Sequence, residues 1–165
     1  PASSFSAIRA ALDSTAPAGA EATRELGAKV GAHLADLLRS RSDGDLTSLS
    51  SGRFWSSLES TLFEMGWGSA DHEQPHPGVI SLSSANWFEA EDQHTAYPSC
   101  QFTVGVLGEL FRQVASLDVA VMEVECRAAG DETCRFLIGG SDALSSVFAH
   151  LQHGESYRAA LASLG

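Results

Sequence analysis

The sequence predicts an α+β domain, an antiparallel sheet of about four strands covered by helices. Three observations point there. Apolar residues recur at helical spacing over residues 4–65. The period shortens to alternation over 66–91 and again over 118–140. Helical spacing returns at 99–115 and at 141–164. At 165 residues the chain reads as a single domain, 1–165, with a helical N-terminal part (4–65), a cysteine-bearing part (86–138) and a C-terminal helix (141–164).

Each element has a local cause. Residues 4–13 place Phe5, Ile8 and Leu12 on one helical face. The stretch STAP then interrupts the chain, and Pro17 suits the first turn of a new helix that runs to Arg41. Its apolar face is read as Leu26, Val30, Leu34, Leu37 and Leu38. A polar loop, SRSDGD, leads to a helix over 48–65 with Phe54, Trp55, Leu58, Leu62 and Met65 on one side, stopped by Gly66. Two strands joined by the turn EQPHPG follow. The helix over 99–115 carries Phe102, Val106, Leu110 and Val114 four residues apart, with Ser99 as the expected N-cap. Gly105 and Gly108 are expected to let a neighbouring element approach closely. DVAVMEVECR and TCRFLIGG alternate as strands around the turn AAGDE, a hairpin. The last helix is expected to divide near Gly154.

Composition excludes several classes of partner. The net charge is −11 and Lys29 is the one lysine, so phosphate backbones and anionic lipid surfaces are not expected ligands. No apolar run approaches the roughly 20 residues of a membrane span, and no signal peptide is visible. A cytoplasmic, reducing location suits three cysteines without an export signal. The motifs GxSxG, HExxH and GxGxxG and the P-loop are absent, and the chain is read as not an enzyme.

The three cysteines, Cys100, Cys126 and Cys134, fall within 35 residues. Cys126 and Cys134 flank the predicted turn, where paired positions lie about 5 Å apart. Cys100 opens a helix, whose dipole favours a thiolate. With Glu123 they make a donor set suited to tetrahedral Zn²⁺. Parity opposes this, because strand residues three apart face opposite ways. Either a bulge lies just before Cys126, or the fourth ligand is Glu125, His94 or water. Buried unligated thiols and a disulfide are the competing readings of the spacing.

The same residues resemble the 4-vinyl reductase domain family. Its pattern is a cysteine opening a glycine-containing helix, then E-x-x-C, then G-D-x-x-C-x-F. Here it falls on Cys100, Gly105, Glu123, Cys126, Gly130, Asp131, Cys134 and Phe136. NWFEAEDQH (86–94) is similar to the segment preceding the cysteine in phenol-responsive bacterial sensors. The resemblance covers about a third of the chain, residues 86–138. It implies a fold shared with small subunits of the Golgi transport-particle tethering complex and related to haem–nitric-oxide sensor domains. It also implies a structural zinc on Cys100, Glu123, Cys126 and Cys134. Where phenol sensors place a ligand-contacting tryptophan this chain has Ser84, so phenol specificity does not carry over.

A zinc held by four protein ligands has no open position and is structural. Function is therefore expected in an apolar pocket for a small hydrophobic or aromatic ligand. Its candidate lining is Phe54, Trp55, Leu58, Leu62, Phe63, Trp67, Trp87 and Phe88, with His94 and Tyr97 to orient a polar end. The turn histidines, His72 and His76, are read as solvated. The leading expectation is a zinc-stabilised sensor or carrier domain. The alternatives are a tethering-type interaction module or a tetrapyrrole carrier. A homodimer is expected, with the small residues of AEATRELGAKVGAHLADLL at its helix contact.

Overall fold

The structure, a computed structural model, describes residues 18–42, 46, 50–91, 93–115 and 117–165. The helix expected at 4–13 and the first residues of that expected at 48–65 lie outside this set. Two helices open the described fold, α1 (Ala18–Ser40) and α2 (Ser51–Glu64). The hairpin β1 (Asp71–His76) and β2 (Val79–Ser84) follows, then α3 (Gln101–Ala115). A second hairpin, β3 (Ala120–Glu125) and β4 (Cys134–Gly139), leads into α4 (Ser141–Gln152) and α5 (Tyr157–Ala162). The strands form one antiparallel sheet in the order β1-β2-β4-β3.

Alternation along the central strands supplies both faces of the sheet with apolar side chains. Val79 and Leu137 meet Leu144 and Val147 of α4, with Tyr157, Ala160 and Leu161 of α5. Leu82, Phe136 and Ile138 point the other way and join the core of α1, α2 and α3. The sheet thus lies between two helical layers. Strand β1 is an edge and exposed along most of its length. That tolerates Pro75, because an edge strand has one side on which an N–H is not needed. The β1–β2 turn is accordingly shorter than EQPHPG, with strand structure continuing to His76 and Gly78 at φ 83°.

Helices α1 and α3 run parallel, Arg24 meeting Gln101 at one end and Arg39 meeting Gln113 towards the other. Their backbones touch through glycine. A Cβ on Gly27 would collide with the Phe102 carbonyl, one on Gly31 with the Val106 carbonyl, and one on Gly105 with the Arg24 carbonyl. This contact corrects the apolar face expected for α1. Leu34 and Leu38 are buried, but Leu26 and Leu37 remain 39% and 37% exposed. A leucine cannot occupy an interface where two backbones touch, so the buried stripe runs through Thr23, Gly27 and Gly31 instead. The small residues expected to serve a dimer are used within the chain. Gly108 is corrected as well: a Cβ there meets nothing within 4 Å. The C-terminal helix divides at Gly154, which takes φ 81°.

Two alanine substitutions on α3 test this contact. Gly105→Ala should destabilise by about 1–3 kcal/mol through overpacking. Gly108→Ala should stabilise by roughly 0.5–1 kcal/mol, since alanine is the better helix former in open space. Urea denaturation followed by circular dichroism reads both, and equal effects would refute the close approach.

Candidate metal centre

Strand β3 pairs Glu123 with Phe136 and then Glu125 with Arg135, so Val124 is an extra residue. This bulge removes one step from the alternation and turns Glu123 and Cys126 to the same side. The parity conflict in the sequence is resolved by the device it required. Beyond the bulge the chain makes a tight turn. Ala129 N and Asp131 N donate to the Cys126 carbonyl, and Cys126 N donates to Asp131 Oδ2 at 2.7 Å. Gly130 takes φ 103°, a left-handed conformation that favours glycine. The Gly-Asp pair therefore closes the turn that sets Cys126 beside Cys134.

Cys100 precedes the first residue of α3 and accepts its first helical hydrogen bond, from Val104 N. It holds the capping position expected of Ser99. The ligand atoms of Cys100, Glu123, Cys126 and Cys134 all lie within 4.8 Å of one another, and all four residues are buried. Cys100 Sγ and Cys126 Sγ are 3.8 Å apart. Tetrahedral zinc with Zn–S bonds of about 2.3 Å has S···S edges of about 3.8 Å. Glu123 Oε2 accepts from Cys100 N at 2.7 Å, while Glu123 Oε1 is buried without a hydrogen-bond partner. An orphaned carboxylate oxygen beside three thiols is the donor arrangement a cation would satisfy. Glu125 is engaged elsewhere, accepting from Arg135 Nε at 2.7 Å and from Thr133. His94 is exposed.

The electrostatics agree. Hydrogen bonds from Cys100 and Cys134 push the Cys126 thiol well below its ordinary range. Contacts with Cys126 and Cys134, and then burial, push the Cys100 thiol far up. Cys134 is lowered by Cys100 but raised more by Cys126 and burial, and is pushed up to about 12. Burial, followed by the Cys126 charge, raises Glu123 to about 8. Without a cation the pocket favours one thiolate and opposes further negative charge. A divalent ion reverses that preference, because it attracts every ligand in its ionised form.

A second buried carboxylate completes the start of α3. Glu89 accepts from Phe102 N at 2.9 Å, Thr103 N at 2.8 Å and Thr103 Oγ1 at 2.6 Å. Trp87 Nε1 in turn donates to Thr103 Oγ1 at 2.7 Å. Sequence reasoning assigned Glu89 no role. The available signal was an acid in the aromatic segment NWFEAE with no basic residue near it.

The aromatic residues form two ring clusters. Phe54, Trp55 and Phe111 pack together, with centroids 5.3 to 5.9 Å apart. Trp67 stacks on Phe88 at 4.9 Å and meets Trp87 and Phe102 edge-on. Leu58 and Leu62 are fully buried in the same core. Phe63 and Tyr97, 67% and 72% exposed, turn outward and join neither cluster. His72 is exposed, and its ring also stacks on Trp55 at 4.3 Å and pairs with Glu59 at 2.7 Å.

A sheet between two helical layers, with three thiols and a carboxylate gathered where a helix starts, defines a domain class with a built-in candidate metal clamp. Residues 81–140 match the family model of the 4-vinyl reductase domain. The chain is similar to the crystal structure of the phenol-responsive sensory domain of the transcription activator PoxR with phenol. That match has 16% identity and a TM-score of 0.70, over 94% of this chain and 82% of the other. It is similar to trafficking protein particle complex subunit 3 from Naegleria fowleri, covalently bound to palmitic acid (16% identity, TM-score 0.62, 84% of this chain and 91% of that one). It is also similar to a vinyl-4-reductase family protein from Methanocaldococcus jannaschii (17% identity, TM-score 0.52, 70% of this chain and 66% of that one). At these identities the likeness shows the fold. Comparison with curated protein sequences gives no match.

Glu89→Gln should destabilise the domain by about 1.5–3 kcal/mol, the worth of hydrogen bonds to a charged group. The amide turns an NH₂ donor toward donors already present. Urea denaturation reads the loss, and a change below about 0.5 kcal/mol would mean that the carboxylate is not needed as the helix cap.

Proposed function

We propose that this chain is a small-molecule-binding domain of the sensory type, held in shape by one structural Zn²⁺. The observation that carries the metal assignment is the buried set of three Sγ atoms and one Glu123 carboxylate oxygen within 4.8 Å of one another, with Glu123 Oε1 left without a hydrogen-bond partner. Cys100, Glu123, Cys126 and Cys134 would fill a tetrahedral shell, leaving no position for substrate, so the ion acts on stability. Three free thiols suit a reducing cytoplasm. The ligand reading draws on the fold shared with the PoxR domain, which responds to phenol.

The ligand in this proposal is apolar or aromatic and is taken by the cluster of Trp67, Trp87 and Phe88, near the metal-bearing start of α3. Trp67 and Phe88 are partly buried, stack on each other at 4.9 Å and both meet the buried Trp87. Phe54, Trp55, Leu58 and Leu62 are buried in the same core.

Elemental analysis of the purified protein should give about one zinc per chain, as a single four-ligand site requires. Cys126→Ser and Cys134→Ser should lose the metal and lower the melting temperature, and chelation of the unmodified protein should do the same. A metal-free protein of equal stability would end the zinc assignment. The ligand assignment is read separately. Titration with phenol and 2-naphthol should give saturable changes in tryptophan emission that Trp67→Ala abolishes, whereas flat titrations would oppose it.

The interaction-module reading retains one specific support. Leu26 and Leu37 lie three turns apart on the outer side of α1, both partly exposed. A second copy could cover them, giving a homodimer. Light scattering of the unmodified protein and of Leu26→Glu decides: a monomer in both removes this reading.

A further inference from the structure

We infer that the open edge of β3 is a docking groove for an extended peptide segment of a partner protein, apolar at alternate positions and carrying a carboxylate opposite Arg24. This stands apart from the small-molecule reading and uses other residues.

Among the described residues, strand β3 has a neighbour on one side only, which leaves its outer N–H and C=O groups for pairing. A groove of about 570 Å³ runs along that edge. Its floor is the continuous stretch Ala120–Glu123. One wall is a single face of α4, where Ser141, Leu144, Ser145 and Phe148 fall at helical spacing. The opposite wall carries Val104 and Gln101 of α3, with Arg24 of α1. A trough with a strand edge for a floor and helices for walls has the form used for strand addition, where main-chain bonds bind and alternate side chains specify. Its floor spans about 13 Å, four residues of extended chain.

The edge carries no lysine or proline within β3. Proteins blunt free edges with lysine, proline or inward charges. The two acids of β3 are engaged, Glu123 turned in to the thiol cluster and Glu125 paired with Arg135. Its bulge lies at Val124, beyond the groove floor. Phe148 meanwhile stays 51% exposed on the wall.

Two features select the occupant. Another sheet edge is excluded by shape, because β3 is recessed between α4 and α3. A second copy's β3 is recessed in the same way, so the flanking helices would meet first. A single extended segment fits. Charge supplies the second constraint. Arg24 donates to Gln101 and, among the described residues, pairs with no carboxylate. In a chain of net charge −11, a guanidinium at the trough that pairs with no carboxylate among the described residues favours a carboxylate on the incoming segment.

The test is selection from a phage-displayed library of random dodecapeptides on the metal-loaded full chain, followed by fluorescence polarisation with the winning peptide. The proposal expects alternating apolar positions and at least one acid. Ser145→Trp, which fills the trough from an exposed helix position, should weaken binding tenfold or more. Arg24→Glu should weaken it severalfold, and N-methylation of alternate peptide bonds should abolish it. Circular dichroism confirms that both variants fold. An empty selection, or binding indifferent to Ser145→Trp, overturns the proposal. A benzophenone at position 148 separates the remaining occupants. Photocrosslinking to the peptide supports a partner segment, while crosslinking to residues 1–17 of the same chain or to a second copy overturns it.

Discussion

The start of α3 sets the terms for the rest of the molecule. A helix begins with backbone N–H groups that have no partner within the helix. Here they are buried, and carboxylates from two other places in the chain satisfy them. Glu123 of β3 takes Cys100 N, and Glu89 takes Phe102 N and Thr103 N. Each carboxylate joins the helix to a different part of the chain, so these caps also define tertiary structure. Once α3 is anchored, its parallel glycine contact places α1, and the shared core places α2. The second hairpin is held to the same point through Glu123.

This anchoring concentrates negative charge. Two buried carboxylates and three thiols lie around one helix end, in a chain that is already strongly acidic. The positive end of the helix dipole offsets part of that charge, but its effect is small and fades within a turn. The rest is relieved either by protonation, the direction seen for Cys100, Cys134 and Glu123, or by a cation. The two remedies differ mechanically. Protonation leaves neutral groups in contact, whereas a divalent ion pulls the helix start, the bulge and the turn toward one centre. A metal there would therefore contribute to folding beyond the energy of its four bonds.

Much of this was legible in the sequence, for identifiable reasons. Turn residues between two alternating runs defined the β3–β4 hairpin, so the facing of Cys126 and Cys134 followed from local chemistry. The bulge could be deduced because strand parity is a hard constraint: if Glu123 and Cys126 share a centre, one residue must be surplus. Glu89 was not legible, because a buried acid is recognised by the N–H groups it meets, and these lie 13 and 14 residues away. The face of α1 was misread for a related reason. Leucine periodicity reports what could be buried, while Gly27 and Gly31 report how closely a neighbour approaches, and the closer approach prevailed. Gly105 and Gly108 are alike in sequence, yet only Gly105 meets a backbone. Spacing cannot tell which side of α3 faces α1.

The bulge at Val124 connects the candidate metal centre to the open edge of the sheet. It turns Glu123 inward to the helix start, and it also ends the regular part of β3, since a bulge twists a strand away from its course. The same extra residue thus sets the ligand geometry on one side and the length of free edge on the other. Glu123 belongs to both, as a member of the thiol cluster and as the last residue of the groove floor. If the carboxylate were released from Cys100 N, the floor of the groove would shift with it. Glu123 therefore ties the helix start to the edge, and a metal held there would bear on the surface as well as on the core.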